Sequence, residues 1–162
     1  MGVQTFFTAF ISNFATMFQS PNPDYKELVE KKFIANRFSH QLGFRLTDIQ
    51  EGFTQGQLLL EEKHQQQNGF AHGGIILSLC DIVMGFAAFT MINNDQHVVT
   101  AEIKVSCLRP GVGEKLIAKG WVLKPGRQIH FCESEVWAVS GGKETLVAKA
   151  SSSMAVMLPG KI

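Results

Sequence analysis

The residues best suited to chemistry lie between positions 66 and 91, where a glycine-bearing approach leads into a long apolar segment. His72, Gly73 and Gly74 stand at the start of that segment, and Asp81 is its only charged residue. An ionised carboxylate in apolar surroundings is costly unless it is paired or used. Two glycines at a helix N-terminus expose backbone amides that can stabilise a developing negative charge. Together, the carboxylate and the amides indicate acyl chemistry.

The segment that carries these residues is predicted to be a helix of about five turns. It is apolar on every side, which is typical of a helix in the middle of a domain. A membrane-spanning helix is the alternative, but Asp81 and Gly85 interrupt the apolar run and no basic residues flank it. We therefore expect a central helix in a soluble protein and no membrane partner.

Alternating polar and apolar residues on both sides of this helix predict β-strands. A hairpin is expected over residues 43–49 and 55–62, and four further strands over 97–108, 115–124, 128–139 and 144–157. Short turns between consecutive strands predict a largely antiparallel meander. The simplest way to bury the apolar helix is to wrap the sheet around it, which gives an α+β fold.

The N-terminal region is predicted to contain two helices. The first is amphipathic and is expected to pack on the domain or on a neighbouring subunit rather than on a membrane, because its polar face has no basic residues. Its apolar stripe consists of Phe6, Phe7, Phe10, Ile11, Phe14, Met17 and Phe18. The second is expected from Asp24, a cap with Glu27 three residues later, to about His40. The face expected to join the core consists of Leu28, Phe33, Ile34 and Phe38.

The bulk properties narrow the function. The chain has 162 residues, which suits one domain, and a net charge of +1, which argues against a nucleic-acid partner. Cys80, Cys107 and Cys132 are odd in number and widely spaced, so we expect reduced core thiols in a cytoplasmic protein. The histidines and cysteines do not have the spacing of metal ligands, so no metal is expected.

The spacing of Gly73 and Asp81 constrains where the reaction can occur. Eight residues at a rise of ~1.5 Å separate them by about 12 Å along the helix. Catalytic partners must come within about 3 Å of the reacting atoms. The two groups can meet only if two chains pair with their helices antiparallel, so that Asp81 of one faces Gly73 of the other. The sequence thus predicts a homodimer with two sites at its interface.

The order of these residues resembles the hotdog-fold acyl-CoA thioesterases of the PaaI-like group. Their signature is a polar amide residue, a glycine, His-Gly-Gly and an Asp nine positions after the His. The resemblance runs from about Leu42 to Met157. The matching residues here are Gln66, Gly69, His72, Gly73, Gly74 and Asp81, followed by Thr100 to Glu102, Leu108-Arg109-Pro110 and Pro125-Gly126-Arg127.

The resemblance implies a role for each matching residue. Asp81 would be the general base or the nucleophile, and the Gly73 amide would polarise the thioester carbonyl. His72 and Gln66 would orient the thioester or the attacking water, although many relatives have Asn where this chain has Gln66. Thr100 would hydrogen-bond near the carboxylate.

The resemblance also implies how the substrate is bound. Gly74 and Asn68 would bind the substrate, while Lys124, Gly126 and Arg127 would bind the nucleotide phosphates of coenzyme A. Coenzyme A would be part of the substrate, and no cofactor would be needed. Residues 1–40 would be a helical extension of a hotdog domain over 41–162, assembled as a homodimer or a dimer of dimers.

Two other functions stay open at this stage. A hotdog hydratase or dehydratase would act on the same thioesters but pairs His with a carboxylate in a different local context. A non-catalytic acyl-CoA-binding protein would be expected to lack the acid, which is present here as Asp81. The identity of the acyl group is left open, with candidate pocket residues Phe70, Met84, Phe86, Phe89 and Met91.

Overall fold

A computed structural model describes residues 18–158 and Gly160. Six antiparallel strands form one sheet in the order β1-β2-β4-β5-β6-β3. The strands are β1 (Arg45–Gln50), β2 (Phe53–Leu59), β3 (His97–Cys107), β4 (Lys115–Pro125), β5 (Ile129–Ser140) and β6 (Lys143–Met157). The helices are α1 (Tyr25–Ile34), α2 (Arg37–Leu42) and α3 (Gly73–Phe89), with a short 3-10 turn at Glu62–His64. The predicted first helix lies outside the described residues, apart from Phe18.

Helix α3 packs against the sheet and forms the middle of the hydrophobic core. Gly120 on β4 lets the helix approach closely, since a Cβ atom there would lie 2.6 Å from the carbonyl carbon of Val83. Beside it, the Thr54 hydroxyl donates to the Val83 carbonyl oxygen over 2.7 Å. The predicted α+β wrap is confirmed, and these two contacts fix the depth at which the helix sits.

The strand order departs from the predicted meander in one respect. β3 does not pair with β4; it pairs with β6 at one edge of the sheet, while β2 pairs with β4. The connection between β3 and β4 spans residues 108–114, which is long enough to carry the chain from the edge to the centre of the sheet. As a consequence, β3 has one side unpaired within the described chain.

The second predicted helix is wrong as a single element, because the chain breaks between α1 and α2. The Asn36 side chain accepts a hydrogen bond from the Ser39 amide and starts a new helix there. Asp24 precedes α1 but makes no side-chain cap. Ile34 and Phe38 are 74% and 53% exposed, so the prediction that they join the core is also wrong.

Helix α1 nevertheless contributes to the same core as the sheet. Val29 is fully buried in it, and Leu28 is nearly so. The Phe33 ring packs edge-on against Phe86 of α3, with centroids 5.6 Å apart. The domain boundary near residue 40 stays a prediction.

The cysteines divide by exposure. Cys80 and Cys132 are buried, and burial raises the pKa of their thiols to about 11 and about 12. Cys107 is exposed at the end of β3, because that strand is at the edge of the sheet. The prediction of three core thiols is therefore wrong for Cys107.

His130 makes folding sensitive to acid. Burial lowers the pKa of this imidazole below its ordinary 6.5, against the opposing effect of a hydrogen bond with the Ala88 backbone. The neutral form is thus favoured in the fold, while the unfolded chain protonates near pH 6.5. The resulting stability is complete above that pH and is lost as the pH falls through the lowered pKa. We expect the urea midpoint to fall between about pH 7.5 and 5, and His130→Gln to reduce that fall.

The control for this measurement is Gln67→Ala, which changes an exposed side chain that does not titrate. It should leave the pH dependence of the urea midpoint as in the unmodified chain. An unchanged slope in His130→Gln would show that other groups cause the acid sensitivity.

Candidate active site

The start of α3 is organised by His72, which is its N-cap residue. Its backbone is extended, with φ −63° and ψ 139°, and its Nδ1 accepts a hydrogen bond of 2.9 Å from the Gly74 amide. A ring nitrogen that accepts carries no proton, so the neutral imidazole has its proton on Nε2. His72 is exposed, and Nε2 is therefore available to a ligand.

The backbone amide of Gly73 is free to donate a hydrogen bond to a ligand. Gly73 is the first residue of α3, and its N–H donates to no acceptor in the described part of the chain. A Cβ atom built on Gly73 would meet nothing within 4 Å, so the space around it is open. Because His72 already occupies the Gly74 amide, Gly73 is the better donor for a carbonyl oxygen.

Asp81 lies two turns further along α3 and is half-buried. The Thr100 hydroxyl donates to Asp81 Oδ1 over 2.6 Å. A β-bulge between Thr100 and Glu102 interrupts the pairing of β3 with β6, and the Ser152 hydroxyl donates to the Glu102 carbonyl oxygen at that point. Bulges re-aim side chains near functional sites, and this one sets the direction of Thr100.

The approach to the helix is a tight turn. The Gln66 side-chain oxygen accepts from the Asn68 amide over 2.6 Å, and the Gly69 amide donates to the Gln66 carbonyl oxygen. Gly69 has φ +80°, a left-handed conformation that favours glycine. The Gln66 oxygen is thus used within the turn, and its NH₂ group is the part that can donate to a ligand.

The predicted site residues form two groups in the structure. Asp81 and Thr100 make up one group, and His72, Gly73 and Gly74 make up the other. The structure does not bring the two groups together within one chain. Helix α3 is continuous from Gly73 to Phe89, so the separation of about 12 Å between Gly73 and Asp81 stands.

Two exposed cations, Lys124 and Arg127, flank the β4–β5 turn. The turn depends on Gly126, whose amide donates to the Ile129 carbonyl oxygen; a Cβ there would lie 2.4 Å from that oxygen. Neither cation forms an ion pair within the described residues.

The β4–β5 turn lies at the end of the sheet that also carries Thr100, the hydrogen-bond partner of Asp81. A row of paired residues crosses the sheet from this turn to Thr100. It runs from Pro125 on β4 through His130 on β5 and Met154 on β6 to Thr100 on β3. Three strand spacings of ~4.8 Å place Thr100 about 14 Å from the turn. An extended ligand could therefore contact both.

A cavity of about 310 Å³ opens beside Gly73. Its walls come from the approach loop, the first turn of α3 and residues 107–111. The sequence identified only Phe70 as a lining residue, because the other walls come from segments distant in the chain. Of the other predicted pocket residues, Met84, Phe86 and Met91 are buried in the core.

Among the described residues, no three His, Cys, Asp or Glu side chains converge in a way that could hold a metal ion. Within the same part of the chain, no helix combines the length and apolar character needed to cross a membrane.

Comparison with known proteins decides the family. Residues 68–145 match the Thioesterase superfamily. A Deinococcus radiodurans protein described as a "Putative esterase" is 33% identical over 104 residues, which cover 63% of this chain and 68% of the relative. The chain belongs to the thioesterase superfamily. A Saccharolobus solfataricus protein with the same description is 28% identical over 139 residues, or 86% of this chain and 94% of the relative.

Solved structures of similar proteins share this fold. A thioesterase family protein from Silicibacter pomeroyi matches with a TM-score of 0.82 and 28% identity, covering 83% of this chain and 98% of the other. The E. coli PaaI protein from the phenylacetic acid degradation operon matches with a TM-score of 0.73 and 20% identity, covering 82% and 92%. The fold is the hotdog fold, and as a member of the thioesterase superfamily the chain is a thioester hydrolase.

Proposed function

We propose that this thioesterase hydrolyses acyl-CoA as a homodimer, with Gly73 of one chain and Asp81 of the other in each site. The observation that carries the proposal is the hydrogen bond from Thr100 to Asp81, which holds a carboxylate about 12 Å along α3 from a free Gly73 amide. A carboxylate and an unpaired helix N-terminal amide are the two groups that thioester hydrolysis needs.

The surface around Asp81 supports the pairing of two chains. One line along α3 is not covered by the sheet, and it consists of Gly74, Ser78, Asp81 and Gly85. Leu77 lies beside this line and is 43% exposed. Small residues along such a line let two helices approach closely.

The edge strand beside this line provides a second contact. β3 is eleven residues long, and one of its sides has no partner in the described chain. An exposed edge of that length is a template for pairing with another strand. Antiparallel pairing of two β3 strands about a two-fold axis would continue the sheet and set the α3 helices antiparallel.

The proposed reaction follows from this arrangement. The thioester carbonyl oxygen accepts a hydrogen bond from the Gly73 amide, which stabilises the negative charge that develops there. Asp81 of the other chain either attacks the carbonyl carbon or removes a proton from the attacking water. The C–S bond breaks. When Asp81 is the nucleophile, this leaves a mixed anhydride that water then hydrolyses; when it is the base, water has already added to the carbonyl carbon. Both routes consume one water and give the free carboxylic acid and coenzyme A. His72 Nε2 and the Gln66 NH₂ group are proposed to orient the thioester.

Lys124, Arg127 and the Gly126 turn are proposed to bind the phosphates of coenzyme A. They lie at the end of the sheet that carries Thr100, the hydrogen-bond partner of Asp81, so the nucleotide would be held mainly by the chain that supplies the carboxylate. Exposed cations in a rigid turn suit a phosphate group.

Removal of these cations should affect binding more than chemistry. We expect Lys124→Ala and Arg127→Ala to raise KM for acyl-CoA several-fold to about tenfold with little change in kcat, because contacts remote from the carbonyl act equally on ground and transition states. Lys143→Ala, at the first residue of β6, is the control and should leave KM unchanged. An unaltered KM in both variants would place the nucleotide elsewhere.

The direct test of the proposed activity is release of free thiol from acyl-CoA by the purified chain. Thiol release that requires Asp81 supports the proposal. Binding of acyl-CoA without any thiol release would instead favour a non-catalytic acyl-CoA-binding protein.

A further inference from the structure

The cavity beside Gly73 is built largely from apolar side chains. Phe70, Ile76, Leu108 and Pro110 line it, and its volume is about 310 Å³. Arg109 also borders it, but its Nη1 donates to the Leu146 carbonyl oxygen on β6. Pockets that are mostly apolar with one polar anchor are typical of sites for small organic groups, and the free Gly73 amide is such an anchor.

The inner end of this cavity is closed. The Ala71 amide donates to the Gly111 carbonyl oxygen over 2.9 Å, which ties the approach loop to the loop after β3. A Cβ atom on Gly111 would lie 3.0 Å from Ala71 Cβ and 3.6 Å from Leu116 Cδ2. There is therefore no room to extend the cavity past Gly111 without moving the backbone or the core.

We propose that this cavity holds the acyl group and selects apolar chains of medium length, about eight to ten carbons. This inference rests on the proposed function. In the proposed complex, the thioester carbonyl oxygen lies at Gly73, and the coenzyme A part of the substrate extends toward Lys124 and Arg127 of the other chain. The acyl chain is therefore the part of the substrate that enters the cavity. At roughly 30 Å³ for each water-sized group, 310 Å³ holds at most about ten methylene-sized groups.

The test is a hydrolysis series with straight-chain acyl-CoA substrates from butyryl to palmitoyl. Each methylene that becomes buried should raise kcat/KM about three- to fourfold until the cavity is full. The maximum is expected at octanoyl or decanoyl, with palmitoyl-CoA at least about tenfold below it, because a chain longer than the cavity meets the closed inner end and draws the carbonyl away from Gly73.

Two variants connect this profile to the cavity. Phe70→Ala removes a ring from its wall and should move the optimum about two to three carbons longer. Leu108→Ala, at a half-exposed position, should move it in the same direction by a smaller amount. The control is Phe131→Ala, an exposed ring on β5 outside the cavity, which should leave the profile unchanged. Turnover of butyryl-CoA shows that each variant is folded and active.

The possible results distinguish an error in the cavity assignment from an error in the proposed function. A flat profile, a preference for palmitoyl-CoA, or an unshifted optimum in both Phe70→Ala and Leu108→Ala would overturn the cavity assignment while thioesterase activity stands. Hydrolysis of no acyl-CoA of any length would overturn the proposed function, and this inference with it.

Discussion

Replacing Asp81 by Asn is expected to lower kcat for acyl-CoA hydrolysis by about 10³-fold or more, which is the usual size of the loss when a base or nucleophile is removed. Asn has nearly the same shape and can still accept the hydrogen bond from Thr100, so the change removes the charge and little else. Stability should hardly change, since losing a half-buried carboxylate need not destabilise a fold. The measurement is thiol release, with the urea midpoint recorded in parallel.

Glu102→Gln provides the matched control for the loss of charge. Glu102 is also acidic and lies next to the bulge on β3, but it is exposed and its partner in β6 is Ser153, so its side chain lies on the opposite face from Thr100. Its turnover should stay within about twofold of the unmodified chain. Near-normal turnover in Asp81→Asn would show that the carboxylate is neither base nor nucleophile.

Gly73→Pro is expected to lower kcat by about 10²- to 10³-fold, the usual cost of removing one oxyanion donor. Proline lacks the N–H and is otherwise well suited to the first position of a helix. His72 before it already has φ −63° and ψ 139°, the extended conformation that a residue preceding proline adopts. The Gly73 amide makes no hydrogen bond within the described chain, so the fold loses none.

The matched control is Gly73→Ala, which adds a methyl group but keeps the amide. A Cβ atom at this position meets nothing within 4 Å, so the variant should fold and retain most of its activity. Equal losses in the two variants would mean that the space around Gly73 matters and that its N–H does not.

The sequence predicted the helix and strands well because their signals are local. The uninterrupted apolar run of α3 and the alternating strands leave few alternatives, and the glycine turns mark their ends. The break at Asn36 and the exposure of Ile34 and Phe38 were missed, because a side-chain cap and the packing of α1 on α3 depend on tertiary contacts. The edge position of β3 depends on which strands pair, which spacing along the chain does not encode.

The sequence also predicted the main residues of the candidate site, but it did not predict how they are arranged. The sequence placed His72, Gly73 and Asp81 on one helix, and the resemblance to PaaI-like thioesterases suggested Thr100. It could not show that His72 occupies the Gly74 amide, because that depends on the rotation of one side chain. The cavity also escaped prediction, since its walls come from three separated segments.

The central claim is that each active site is shared by two chains, and complementation in mixed dimers tests it most directly. A Gly73→Pro chain paired with an Asp81→Ala chain has one site with both intact groups and one with neither. We predict about half the thiol release of an unmodified dimer from this pair, although each variant alone is inactive.

The reverse pairing makes the measurement decisive. An unmodified chain paired with a chain that carries both substitutions has one intact group in each shared site, so this dimer should be inactive. If Gly73 and Asp81 acted within one chain, the same dimer would be half active and the first pair inactive. Thiol release from the two tag-purified heterodimers therefore gives opposite results: activity only in the first is the result we predict, and activity only in the second would contradict the shared site.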